Sequence, residues 1–259
     1  MPIDDVHFSI YVINLEDERQ RLNTIRDFLR KVRLTPFNVI EAVNGHSLDP
    51  HTLVTLYDER SAIDRVGRRH TLGEIGCALS HRKAYGNLVS SEAPWSLILE
   101  DDAWLSEETR QVLENADRWL SGAHPRILLL TPLKTFLGKS ARPLDNGHDM
   151  VDVLQAQSTV GYAINRAAAS ALISTNAPIR LMADDWVAYR RFSKLDIKGV
   201  DPWLICQSDT SSGLEGERSL SRIRKQRTFR YRLNKLRDNI GIKLISWLWW
   251  KPFYDLRKH

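Results

Sequence analysis

The run Ser96-Leu97-Ile98-Leu99-Glu100-Asp101-Asp102 constrains this chain most, because it joins an unbroken apolar segment to three consecutive carboxylates. An apolar stretch without polar alternation reads as a strand buried on both faces, the condition of a parallel strand in an α/β sheet. Ligands of such sheets sit beyond the carboxyl ends of the strands, which is where the acids fall. Three adjacent carboxylates repel one another, so a cation is expected among them. Oxygen ligands suit Mg²⁺ or Mn²⁺, ions that keep coordination positions for substrate phosphates. Side chains alternate along an extended segment, so Glu100 and Asp102 are expected to share one face and Asp101 to take the other. Taken alone, the triplet fits equally a solvated acidic turn that ends a strand, and its neighbours must decide.

Those neighbours alternate strand and helix. Phe8 to Leu15 reads as a first strand, and a charged helix from about Glu18 to Lys31 places Leu22, Ile25, Phe28, Leu29 and Val32 on one stripe. Phe37 to Val43 reads as a second strand that ends at the Asn44-Gly45 turn signal. Residues 49–70, weakly periodic and rich in charge, read as a helix and a mobile loop. A helix follows from Thr71 to about Val89, whose Gly73, Gly76, Ala78 and Ser80 permit close approach of another backbone. Beyond the acids, Glu107 to Leu120 reads as a helix and Arg126 to Leu130 as a buried strand. Gly138, Pro143, Asn146 and Gly147 make residues 134–149 read as a loop. Val151 to Gln155 and Thr159 to Ile164 are strand candidates, Asn165 to Thr175 a helix. Ala183-Asp184-Asp185-Trp186 begins another helix, with both acids in its first turn. Alternating strands and helices predict an α/β fold.

At 259 residues and 42% apolar content the chain is long enough to bury a full core. Two cysteines, Cys77 and Cys206, make no disulfide framework, so a reducing compartment is expected. Met1-Pro2-Ile3-Asp4-Asp5 has neither a basic nor an apolar leader region, so no signal peptide is expected, and no run of apolar residues is long enough for a spanning helix. The net charge of +5 is unevenly placed: from Arg218 onward 13 basic residues face 2 acidic ones, +11, which leaves 24 against 30, or −6, for the rest. We therefore expect a domain over 1–217 and a basic tail over 218–259. Within the tail Phe229, Leu233, Leu236, Ile240, Leu244 and Trp247 form one helical stripe, and Trp249 and Trp250 close the run. Arg230, Arg232, Lys235, Arg237 and Lys243 mostly take other faces. A basic amphipathic helix of this kind suits the interface of an anionic membrane surface, the alternative being a solvated helix docked on the domain. The acidic remainder offers no basic stripe, so nucleic acid is not an expected partner.

Four segments in order then carry a resemblance: Val12-Ile13-Asn14-Leu15 with Arg19 and Arg21, Glu41-Ala42-Val43-Asn44-Gly45, the stretch from Gly73 to His81, and Ile98-Leu99-Glu100-Asp101-Asp102. Together they resemble glycosyltransferase family 25, the family of bacterial lipooligosaccharide galactosyltransferases and collagen galactosyltransferases. Weaker similarity continues through Gly161 to Ile164 and Ala183 to Trp186. The resemblance implies a GT-A-like α/β fold with a mixed, mainly parallel central sheet, here followed by a C-terminal basic helical tail. It implies inverting transfer of a hexose, galactose foremost and glucose as the alternative, from a UDP-sugar to a saccharide or lipid-linked saccharide acceptor. Surface-glycan or lipopolysaccharide assembly is the setting it suggests, and the basic tail suits a lipid-linked acceptor at the cytoplasmic, inner face of a membrane. A metal-dependent phosphotransferase is the rival that the acids alone would allow.

By the same resemblance, Glu100-Asp101-Asp102 is similar to the acidic metal motif of that fold, with Glu in its first position. Asp102 is then the expected ligand of Mn²⁺ or Mg²⁺, and Glu100 either a second ligand or a ribose contact. A divalent ion stabilises the charge that grows on departing UDP. A base must take the acceptor's proton on the opposite face of the sugar, and Asp184 or Asp185 is the candidate, with plain helix capping as the alternative role. Asn14, Arg19, Gly45, His81, Glu100 and Asp101 make up the expected nucleotide pocket. His81 alternatively packs at a helix turn, and Trp186 and Trp203 either stack on a sugar or belong to the core.

Overall fold

The computed structural model describes residues 7–208, 228–248 and 256–258. Its first unit is β1 (Ser9–Asn14), α1 (Arg19–Lys31) and β2 (Asn38–Glu41), followed by two short helices, α2 (Pro50–Leu56) and α3 (Glu59–Val66). The chain then runs through α4 (Leu72–Ser90), β3 (Trp95–Glu100), β4 (Ala103–Leu105), α5 (Thr109–Leu120) and β5 (Arg126–Leu129). A long hairpin, β6 (Leu133–Asp145) and β7 (His148–Ala156), leads to β8 (Gly161–Asn165), α6 (Arg166–Thr175), α7 (Trp186–Ser193), β9 (Asp196–Asp201) and β10 (Ile205–Gln207). The tail contributes α8 (Phe229–Leu248) and β11 (Leu256–Lys258).

Nine strands form one sheet in the order β11-β6-β7-β9-β5-β8-β3-β1-β2. It is mixed, as expected for an α/β fold. Parallel pairing occurs at β2-β1-β3 and at β5-β9, and the other neighbours are antiparallel. The parallel part is thus narrower than the buried apolar runs suggest by themselves.

Helices cover both faces, which explains why the central strands show no polar alternation. Tyr11, Ile13, Ile98, Leu129 and Tyr162 point to the side covered by α4, α6 and α7. Ile10, Val12, Leu97, Leu99 and Leu128 point to the side covered by α1 and α5, through Ile25, Leu29, Val112 and Leu113. The predicted stripe of α1 is the one that docks, with Ile25 and Leu29 fully buried.

Two expectations are corrected. Residues 49–70 are not a helix and a mobile loop but two helices, each capped by an aspartate: Asp49 accepts from the His51 and Thr52 amides, and Asp58 from Ser61. Their weak periodicity reflects short helices with few buried positions. Residues 134–149 are not a loop but most of the β6-β7 hairpin. Asn146 and Gly147, at φ 49° and 79°, form the two-residue turn that matches the twist of a hairpin. Pro143 is tolerated because β6 is irregular there, with register shifts on both sides of it.

Candidate functional site

The carboxyl ends of β1, β2 and β3 lie at one edge of the sheet because these strands are parallel. The loop after β2 is held over this edge by α4. Gly76 lies so close that a Cβ on it would stand 2.5 Å from the Val43 carbonyl oxygen, and a Cβ on Gly45 would stand 1.8 Å from that of Leu72. Ser80 accepts from the Val43 amide at 2.7 Å. Gly45 therefore serves close packing of the loop on α4, as expected for Gly76, rather than opening toward a ligand. A capping box of Thr71 and Glu74 starts α4, and Glu74 is held by both terminal nitrogens of Arg68 at 2.7 Å.

Asp102 and Glu100 have different hydrogen-bond partners, although the Glu100 charge still acts on Asp102. Alternation requires extended backbone, and β3 stops at Glu100, so the turn through Asp101 and Asp102 sends the three carboxylates to three sets of partners. Glu100 accepts from the Thr159 hydroxyl and lies 3.3 Å from His81 Nε2. Asp101 accepts from Asn14 Nδ2 at 2.7 Å and from Arg21 at 3.4 Å. Asp102 accepts from Gln207 Nε2 at 2.8 Å, a contact made possible because β10 pairs with β4. Asn14 is thus brought to Asp101 and His81 to Glu100, whereas Arg19 is exposed on α1 and Arg21 is the arginine that reaches Asp101.

The electrostatics fit a bound cation. Asp102 is 6% exposed, and its Oδ1 is buried without a hydrogen-bond partner. Burial, reinforced by the negative charge of Glu100, pushes its carboxyl up to about 6. Burial also raises Asp101, against the lowering influence of Asn14 and Arg21. An ionised carboxylate with a bare buried oxygen is costly unless a cation meets it, so the donor set suits a hard divalent ion at Asp102. His81 and Glu100 gather with Cys77, their ligand atoms within 4.8 Å of one another. His81 Nδ1 lies 2.8 Å from the Tyr162 hydroxyl, which meets that of Tyr85 at 2.8 Å. This network orients the imidazole, so His81 is both packed and directed at the acids.

A cleft of about 330 Å³ is bounded by Arg65, Gln155, Asp184, Asp185, Lys235 and Asp238, and none of the three carboxylates after β3 lines it. The segment 157–159 joins it to the carboxylates. Thr159 bonds Glu100, and the Ser158 amide lies 3.4 Å from Asp184 while its carbonyl accepts from Trp186 Nε1 at 3.1 Å. Ser158 sits at φ 95°, a conformation that costs a non-glycine residue free energy and is held here by its surroundings.

Asp184 and Asp185 precede α7 rather than lying in its first turn. Asp185 is the N-cap, accepting from the Ala188 amide at 3.2 Å, and both of its oxygens are taken by Arg65, Nη2 reaching Oδ1 at 2.6 Å. Trp186 is core, 1% exposed. Trp203 is 41% exposed and meets Trp104 edge-on at 6.4 Å, close in sequence to Gln207 and to Asp102 respectively. Sequence reasoning misses Arg65, Thr159 and Gln207. Gln207 stands 105 residues from the carboxylate it holds, so no local pattern signals it. Arg65 is visible in the sequence only as one of several charges in a segment of weak periodicity.

Comparison with known proteins agrees with the expected family. The model of glycosyltransferase family 25, described as lipopolysaccharide biosynthesis proteins, matches residues 7–187. The chain is similar to the lipooligosaccharide biosynthesis protein lex-1 of Haemophilus influenzae, 29% identical over 205 residues that cover 70% of this chain and 67% of the relative. It is also similar to procollagen galactosyltransferase 2 of Homo sapiens, 24% identical over 175 residues, 65% of this chain but only 28% of that larger protein. A crystal structure of mannose-1-phosphate geranyltransferase from Thermus thermophilus aligns over 74% of this chain and 73% of its own at a TM-score of 0.32 and 10% identity.

Proposed function

The chain belongs to glycosyltransferase family 25, and we propose that it transfers a hexose, galactose in the first place, from a UDP-sugar to a saccharide or lipid-linked saccharide, with inversion at the anomeric carbon. The observation that carries this reading is the buried Asp102 carboxylate, one oxygen unpartnered, at the edge where the parallel strands end. With Asp102 as ligand and Glu100 beside it, Mn²⁺ or Mg²⁺ would supply neutralisation of the charge that builds on a departing diphosphate.

The protein's own groups have separable tasks in this scheme. Asn14 and Arg21 hold Asp101, which keeps the turn after β3 in place. His81 and Thr159 fix Glu100. Asp185, gripped on both oxygens by the Arg65 guanidinium, is an anchor at the start of α7. Asp184 lines the same cleft, and we assign it the removal of the acceptor hydroxyl's proton. The names of the relatives, one a lipooligosaccharide biosynthesis protein and one a procollagen galactosyltransferase, favour galactose over glucose and a surface glycan as the product.

The tail supports attachment to an anionic membrane surface from the cytoplasmic side. Among the described residues no helix is long and apolar enough to cross a membrane. Yet Phe229, Leu233, Leu236 and Ile240 are 79%, 42%, 54% and 44% exposed on one side of α8. Trp249 and Trp250, like the side chains of Leu244 and Trp247, lie outside what is described.

The test of the transferase reading is release of UDP from a panel including UDP-galactose and UDP-glucose, with Mn²⁺ and with chelator. We expect turnover only with the ion, and a loss of at least about 100-fold in Asp102→Asn, the scale of a removed transition-state electrostatic contact. Full activity in that variant would rule out the metal assignment.

A further inference from the structure

Helix α8 lies beyond residues 7–187 that match the family, yet it supplies one wall of the cleft that holds Asp184 and Asp185. At 3.6 residues per turn, Phe229, Leu233, Leu236 and Ile240 fall on one side of it and Tyr231, Asn234 and Asp238 on the other. The second side docks. Tyr231 lies over Gly67, its ring 3.2 Å from where a Cβ would stand. Gly67 ends α3 at φ +80°, a conformation that favours glycine, so the same residue terminates α3 and admits the ring. Asn234 donates to the Asp64 carbonyl at 3.0 Å. Asp238 accepts from Arg65 and, at 2.9 Å, from Arg191.

Arg65 is therefore shared: one guanidinium holds Asp185 on one side and Asp238 of α8 on the other, with the three side chains 11%, 9% and 16% exposed. Burial alone would weaken the Arg65 charge, and the two carboxylates more than restore it. Breaking one side of such a buried group changes the other, because the freed charge must find a new partner. On the rim that α8 turns toward the cleft stand Lys235 and Asn239, both exposed and without a protein partner among the described residues. An ammonium and an amide that line one cleft with Gln155 and Asp184 are groups that suit the hydroxyls of a saccharide.

We propose that the cleft between α8 and the domain is the acceptor site, that Lys235 and Asn239 bind the acceptor saccharide, and that Asp238 is a positioning residue acting through Arg65 on Asp185. This rests on the transferase reading. The full-length protein is assayed with its UDP-sugar donor and a panel of octyl monosaccharide and disaccharide glycosides, and the glycoside giving most product is carried forward. Lys235→Ala and Asn239→Ala are expected to raise the acceptor KM about tenfold each, the loss of one good hydrogen bond, while the donor KM moves less than about twofold. Asp238→Asn, which keeps the volume but loses the ion pairs, is expected to lower kcat about tenfold, and Asp238→Glu to recover most of it. Unchanged acceptor KM in both rim variants overturns the cleft assignment, and unchanged kcat in Asp238→Asn overturns the positioning role, each leaving the transferase reading intact. Failure of the unaltered protein to release UDP from any UDP-sugar overturns both.

Discussion

His70 and Asp102 are both buried, 6% exposed each, and they pull on stability in opposite directions as the pH falls. Burial lowers His70 to about 4 from 6.5, so the unfolded chain binds its proton first and stability is lost as the pH drops from about 6.5 toward 4. Burial and the Glu100 charge raise Asp102 to about 6 from 3.8, so the folded chain binds that proton first and stability is gained over about 6 to 3.8. Between these limits the two oppose each other. Thermal melts in metal-free buffer should then show Asp102→Asn more stable than the native protein at pH 7, by on the order of 2 kcal/mol, and more sensitive to acid. In His70→Gln the acid-side loss should shrink. Added Mn²⁺ should raise the melting temperature of the native protein and leave that of Asp102→Asn unmoved. The acids are legible as residues, since three carboxylates at the end of an apolar strand stand out in any reading of the chain. Their partners are not, because Gln207 and Thr159 reach them only through strand pairing.

Among the elements, α4 is readable almost to the residue, the expected span from Thr71 to about Val89 with its run of small residues matching the observed Leu72–Ser90. Its glycines divide by environment, Gly76 being crowded by the facing loop and Gly86 open. A methyl on Gly45 would overlap the Leu72 carbonyl, whereas nothing lies within 4 Å of the position it would take on Gly86. Urea denaturation should find Gly45→Ala destabilised by about 1 to 3 kcal/mol and Gly86→Ala stabilised by up to about 1 kcal/mol from helix propensity alone. Equal effects would refute the close approach of the loop to α4. The β6-β7 hairpin is less legible. Its outer strand is largely exposed and interrupted by Gly138 and Pro143, so composition points to a loop, and only Asn146-Gly147 carries the hairpin signal. The acids ahead of α7 fall outside the helix that their spacing suggests, because Asp185 caps it from the preceding position.

At the scale of the whole molecule, a mildly acidic domain carries a basic helix that docks by its polar side and keeps its apolar side outward. Flotation with anionic vesicles should recover the protein, and the triple change Leu233→Ser, Leu236→Ser and Ile240→Ser should weaken binding on the order of 100-fold, from the apolar area withdrawn. These side chains are about half exposed, so the variant should melt within a few degrees of the parent, and equal flotation of the two would refute attachment through this face. The alternative reading of the tail, a helix docked on the domain, describes its polar side correctly. Local periodicity and adjacency suffice for the α/β class, the first βαβ unit, the place of the carboxylates at a strand end and the apolar stripe of α8, because each of these is written in residues a few positions apart. They do not reach the parting of the three acids to different partners, the bridge that Arg65 makes between Asp185 and Asp238, or the side of α8 that faces the domain. Those are contacts between residues remote along the chain, and they exist only once the sheet order and helix packing have brought them together.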